Sequence, residues 1–305
     1  MMANHGKTQA DAWRVLAPAR RIWTLAAHTM TQLLRMRILW FLAAFCLLVL
    51  AAAFVFPKQS PEQQLKQLKD WALGAIHVSS IVFAIASTAL LLPRDLEDRT
   101  LYTILSKPVP RYEYLIGKLL GVLLLIGGAL VFMDLVFCAV LWMKQTVVAA
   151  SQIAALQSEQ SATEENVAVV RRIIAEYGLS WSIHAEVWMA FLRAAIVTAL
   201  TLLISCVAST TLFTIVTACG YTVAGFGVQL MREWFLEKPY TVMEKVIGGV
   251  LAVLCPDLSL FNLAEPAARG TVIPWEVLVQ LTGAGLLYVI GYTAVCYLFF
   301  VEKEL

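Results

Sequence analysis

Five stretches of this sequence are apolar for long enough to cross a lipid bilayer, and this restricts the fold more than any other feature. A spanning helix needs about 20 mostly apolar residues, because inside hydrocarbon only intrahelical hydrogen bonds satisfy the backbone. The runs are 38–56, 72–93, 115–142, 187–231 and 277–301. The fourth would be about 70 Å long as one helix, roughly twice the thickness of the hydrocarbon core. Ser205, Ser209, Thr210 and Thr211 mark a turn inside it, which makes six spans. A further run at 246–256 is short and ends at Pro256; it reads as an interfacial or re-entrant helix over about 245–256. The chain is therefore expected to be an all-α integral membrane protein with six transmembrane helices.

Composition agrees. Hydrophobic residues make up 60% of the chain and charged residues only 14%, against roughly a quarter charged in soluble domains. A net charge of +2 gives no reason to expect a nucleic-acid partner. The first apolar run follows a long basic segment without a small-residue cleavage site, so it is expected to remain as an anchor and not to be a signal peptide.

Lys and Arg near span ends set the orientation. Arg14, Arg20, Arg21, Arg35 and Arg37 precede span one, and Arg94, Arg99, Lys107, Arg111 and Lys118 lie between spans two and three. Both termini and that connection are thus expected in the cytoplasm, in a multi-pass protein of the cell (inner) membrane. Residues 1–37 form a cytoplasmic lead-in, 38–301 the transmembrane domain and 302–305 a cytoplasmic tail. Trp71, Trp142, Trp181, Trp188, Trp234 and Trp275 fall at the outer boundary, as aromatic belts require.

Within the lead-in, residues 13–37 show helical periodicity. Ile22, Leu25, Ala26, Met30, Leu33 and Leu34 share one face, and Arg21, Thr24, His28, Gln32 and Arg35 the other. Such a basic amphipathic helix is expected to lie in the headgroup plane. The outer loop, about 143–186, is expected to fold as a small helical hairpin. Ser161 and Glu164 have capping-box spacing, Val167, Val170, Ile174 and Tyr177 form a stripe, and Gly178 is a stop.

Charge is concentrated in the connection between spans two and three. "PRDLEDRTLYTIL" can form a short amphipathic helix, with Leu96, Thr100, Leu101, Ile104 and Leu105 on its apolar side. Pro108 and Pro110 then break it and stiffen the turn into span three. The string Arg94, Asp95, Glu97, Thr100, Leu101, then Leu105, Pro108, Val109, Arg111, Tyr114, Leu115, Gly117, Lys118 and Gly121 resembles the cytoplasmic coupling segment of type-two ATP-binding-cassette (ABC) exporter permeases. A later "P-x-L-x-L-F", Pro256 to Phe261, adds to the likeness. The branch most resembled includes permeases linked to multicopper-enzyme maturation, such as nitrous-oxide reductase assembly.

The resemblance implies a permease that pairs with a second copy or a homologue and binds separate cytoplasmic ABC ATPase subunits. It is compatible with periplasmic or membrane accessory subunits. Coupling to the ATPase would fall on Arg94, Asp95, Glu97, Asp98, Arg99, Thr100, Leu101, Ile104, Pro108 and Arg111. The outcome would be export or transmembrane force transmission, with ATP and magnesium on the partner and no cofactor or enzymatic site on this chain. Consistent with that division, no GxxxxGK[ST] phosphate loop occurs. A non-transporting scaffold subunit is the alternative. An intramembrane enzyme is disfavoured, because there is no paired Asp, Ser–His pair or HExxH in the spans.

Few ionisable groups lie inside the spans. Asp134 and Arg193 are expected to pair between spans three and four, since an isolated charge at mid-bilayer costs roughly 3 kcal/mol or more. His77, near the outer end of span two, reads as a hydrogen-bonded interfacial residue. The six cysteines, Cys46, Cys138, Cys206, Cys219, Cys255 and Cys296, show no CxxC or Cys/His spacing, so neither a metal site nor a disulfide framework is expected.

Overall fold

The computed structural model describes residues 3–35, 60–91, 110–159, 163–208, 210–237 and 255–302, with isolated positions between 40 and 52. Most of span one, the charged connection 92–109 and the 245–254 segment lie outside the described residues. Among the described residues there is no strand. The helices are α1 (Ala3–Leu34), α2 (Pro61–Ala89), α3 (Arg111–Ser158), α4 (Glu164–Tyr177), α5 (Trp181–Val207), α6 (Thr211–Glu237), α7 (Ala264–Ala268) and α8 (Trp275–Glu302), with a 3₁₀ turn at Leu258–Phe261. Five of the described helical segments are long and apolar enough to cross a membrane. The chain is a membrane-embedded helical protein.

Helix α5 is the centre of the bundle. Met189, Ala190, Ala194, Ile196, Thr198, Ala199 and Thr201 have essentially no exposed surface, so the helix is enclosed all round. Helices α2, α3, α6 and α8 pack around it. The outer surfaces of α6 and α8 remain uncovered. Leu212, Phe213, Val216 and Val223 on α6, and Leu286, Leu287, Ile290 and Leu298 on α8, are exposed. Apolar side chains in this position suit a lipid solvent.

The long fourth run breaks where the hydroxyl residues stand, with α5 ending at Val207 and α6 starting at Thr211. Helix α3 runs continuously to Ser158, and α4 packs beside it. The cap of α4 is Thr163, while Ser161 lies outside the described residues. Val167, Val170, Ile174 and Tyr177 are its half-buried stripe. Gly178 ends it in an extended conformation. A Cβ there would stand 2.5 Å from the carbonyl oxygen of Ile174 and 2.7 Å from Gln145 Oε1, so space, not a left-handed turn, demands the glycine.

At the same end of the bundle, the segment from Pro256 to Phe261 packs down between helices. Leu258 and Phe261 are buried. Gly225 of α6 and Gly285 of α8 leave room for them: a Cβ would come within 3.1 Å of Leu258 at the first and 3.2 Å of Phe261 at the second.

Candidate functional site

The start of α3 carries the residues that raised the functional question, and three helices meet there. Pro110 is the cap residue, suited to a helix start because it has no N–H to leave unsatisfied. Arg111 follows at once. Its Nη1 donates to the carbonyl oxygens of Phe300 at 3.1 Å and Val301 at 2.8 Å. Those carbonyls belong to the last described turn of α8, where the helix dipole favours a cation. Arg111 is therefore a clamp between the first turn of α3 and the last turn of α8. Tyr114 stacks on Phe300 at 5.9 Å between ring centroids, and the Lys118 ammonium lies 5.7 Å from the Tyr114 ring, within cation–π reach.

The other side of this junction is α1. Glu113 is completely buried, and Arg21 reaches it in a fork: Nη2 donates to Oε1 at 2.9 Å, and Nε lies 2.8 Å from Oε2. A buried carboxylate needs such a partner, and a planar guanidinium supplies two contacts at once. Four residues on, Gly117 faces Leu25; four more on, Gly121 faces Thr29. A Cβ at either glycine would lie 2.6 Å from the partner's Cβ. The register 21–113, 25–117, 29–121 advances by one turn on both helices at each step. Helix α1 thus runs alongside α3 in the same direction, at the close approach that small residues four apart permit.

This changes the reading of the lead-in. Periodicity identified its buried face as far as Ala26 and Leu33, both without exposed surface. It placed Arg21 on the opposite face and assigned Thr29 to neither. Arg21 is turned inward by Glu113, and Thr29 is fully buried because Gly121 gives it space. Leu34 and Trp23, by contrast, are exposed. The helix accompanies α3 lengthwise, whereas the sequence suggested one lying across the headgroup plane.

Of the ten expected coupling residues, Arg94, Asp95, Glu97, Asp98, Arg99, Thr100, Leu101, Ile104 and Pro108 lie outside the described residues. Arg111 is described, and its guanidinium is committed to α8.

The expected Asp134–Arg193 pair does not form; each charge has another partner. Helices α3 and α5 are antiparallel, with Phe191 beside Gly127 at 3.4 Å and His184 Nδ1 at 2.7 Å from Asp134 Oδ2. That register leaves Arg193 nine residues, or about 13 Å, deeper than the residue opposite Asp134. Arg193 instead donates from Nη2 to Glu186 Oε1 at 2.6 Å, with both side chains buried. Helical side chains slant toward the N-terminus, so Arg193 reaches back to a residue two turns earlier on its own face. The second Glu186 oxygen accepts the backbone N–H of Leu263 at 2.6 Å, tying the core of α5 to the loop after the 3₁₀ turn. Glu186 was missed because it stands one residue before the apolar run starts at 187. His77 packs its ring against Phe226 at 5.3 Å.

Near Asp134, Cys138 stands one turn along α3, its Sγ 3.7 Å from Asp134 Oδ1. Asp134, Cys138 and His184 thus form a half-buried group of oxygen, sulfur and nitrogen donors. Spacing in the sequence could not reveal it, because His184 is fifty residues away. Only the identity of two neighbours, an Asp and a Cys four apart near a span end, was a signal. No protein-family model matches the chain, and no curated protein matches its sequence.

Proposed function

We propose that this chain is the membrane permease subunit of a type-two ABC exporter, acting as one of a pair with separate cytoplasmic ATPase subunits. Six spans, cytoplasmic termini and a location in the inner membrane complete the proposal. The observation that carries it is the three-helix junction at the start of α3. The sequence string shared with such permeases ends in Arg111, Tyr114, Gly117, Lys118 and Gly121, and four of these five residues contact α1 or α8 directly. A push delivered to the charged connection 94–109 would enter α3 at Pro110. It would pass at once to α1 through Arg21–Glu113 and to α8 through Arg111. Three helices would then move together, as coupling to a separate motor requires.

The test uses single cysteines placed through 94–106, in membranes containing the chain with its co-purifying ATPase. Crosslinks from 94–106 to the ATPase are expected, with none from the loop at 143–186. The chain alone is expected to bind no ATP. Stoichiometric ATP binding by the isolated chain would overturn the proposal, as would cytoplasmic accessibility of 143–186 with no crosslink from 94–106.

A further inference from the structure

Independently of the transport reading, we propose that Asp134, Cys138 and His184 bind a divalent transition-metal ion of the zinc class. Asp134 and Cys138 are four residues apart on α3 and so share a face, and His184 meets them from α5. The three donor atoms lie within 4.8 Å of one another. A tetrahedral zinc-type ion, with sulfur near 2.3 Å and nitrogen or oxygen near 2.1 Å, holds its ligands about 3.4 to 3.6 Å apart. The sulfur–carboxylate spacing of 3.7 Å already suits this. The imidazole–carboxylate spacing of 2.7 Å is that of a hydrogen bond, and loading would open it by about 0.7 Å.

The chemistry balances. The ion replaces protons: the Cys138 thiol loses its proton to water and binds as thiolate. The proton that His184 Nδ1 shares with Asp134 passes through water to Nε2, and the freed Nδ1 lone pair coordinates the ion in place of that hydrogen bond. One thiolate, one carboxylate and a divalent cation sum to zero charge, and a neutral complex is the form best tolerated at the edge of the hydrocarbon. One sulfur, one nitrogen and one oxygen form a borderline set. Calcium and magnesium require oxygen ligands throughout, so the set selects against them.

Three protein ligands leave a fourth position open, the arrangement of an exchangeable rather than a closed structural site. The group is open at the surface of the bundle, with the His184 side chain 39% exposed and that of Asp134 15% exposed. Trp142 lies one turn beyond Cys138, and Trp181 one turn before His184; both are exposed. The group therefore sits about one turn inside an aromatic belt.

Co²⁺ titrated into the purified full-length chain in detergent tests the site. Expected are one equivalent bound, the visible bands of tetrahedral cobalt, a thiolate-to-cobalt charge-transfer band, and displacement by Zn²⁺. Trp181, whose ring lies 5.7 Å from His184, should be quenched, and a Trp181→Phe variant should lose that part of the quenching. Cys138→Ser should abolish the charge-transfer band. Asp134→Asn and His184→Gln should each weaken binding by about tenfold or more, whereas Cys219→Ser, at an exposed cysteine elsewhere, should leave it unchanged. Absence of stoichiometric binding to the wild-type chain overturns the proposal, as does a charge-transfer band that survives Cys138→Ser. If Cys138→Ser does not fold, unchanged affinity in His184→Gln does the same.

Discussion

Arg193 and Glu186 are the most demanding residues of the bundle, because both are ionisable and neither is exposed beyond 1%. Removing one partner of such a pair strands the other, which typically costs about 3–5 kcal/mol. Arg193→Met should fall in that range, measured by unfolding in mixed micelles. Adding Glu186→Gln should recover part of the loss, since Gln can still accept the N–H of Leu263 while carrying no charge. Asp134→Asn belongs to a different network, with no partner shared with Arg193. Its effect should add to that of Arg193→Met within about 0.5 kcal/mol. A coupling of several times that size would show that the two charges interact after all.

At the level of elements, glycines distinguish helix contacts from open faces. Gly121→Ala would place a Cβ 2.6 Å from Thr29 Cβ and 2.7 Å from the backbone oxygen of Ala26. Neither can swing aside as a side-chain tip would, so α1 has to move. The expected cost is about 1–3 kcal/mol, together with loss of a disulfide crosslink engineered between α1 and α3. Gly128→Ala, on the same helix with nothing within 4 Å, should be neutral or stabilising by up to about 1 kcal/mol. Equal effects from the two would remove the claim that α1 is seated on the Gly117–Gly121 face. Arg111→Met tests the second contact of the same element. It strips the last carbonyls of α8 of their donor, so amide exchange over the final turn of α8 should accelerate while the middle of α8 stays protected.

Across the whole molecule, two polar assemblies stand at opposite ends of α8. One is the Arg21–Glu113–Arg111 junction beside Val301. The other is a cap at the far end of the bundle, where Ser182 donates to the carbonyl of Thr271 at 2.5 Å and Trp188 Nε1 to Thr282 at 3.0 Å. They should face opposite sides of the membrane. A cysteine at Val272, which is 90% exposed, should react with an impermeant maleimide from outside intact cells. One at Arg20 should react only after lysis. Reaction of both from the same side would contradict the arrangement. The cap also holds a left-handed residue, Gly270 at φ 72°. A Cβ there would strike the carbonyl of Glu176, so the loop before α8 passes close against the end of α4.

The sequence by itself determined that the chain is helical and membrane-embedded, because hydrocarbon leaves the backbone no other partner, and apolar length is a local property read directly along the chain. It also located the break at 208–210 and the hairpin stripe on α4, which rest on short-range periodicity and turn chemistry. Partnerships were another matter. Arg193 was legible as a charge needing a partner, but its partner depended on side-chain slant and on the α3–α5 register. Gly117 and Gly121 were legible as a motif, but their purpose required α1 to lie against them. The Asp134, Cys138 and His184 group required two helices to meet at a particular height. Register between helices is set by the packing of all their contacts together, and no local pattern of residues encodes it, so only the tertiary structure could decide these pairings.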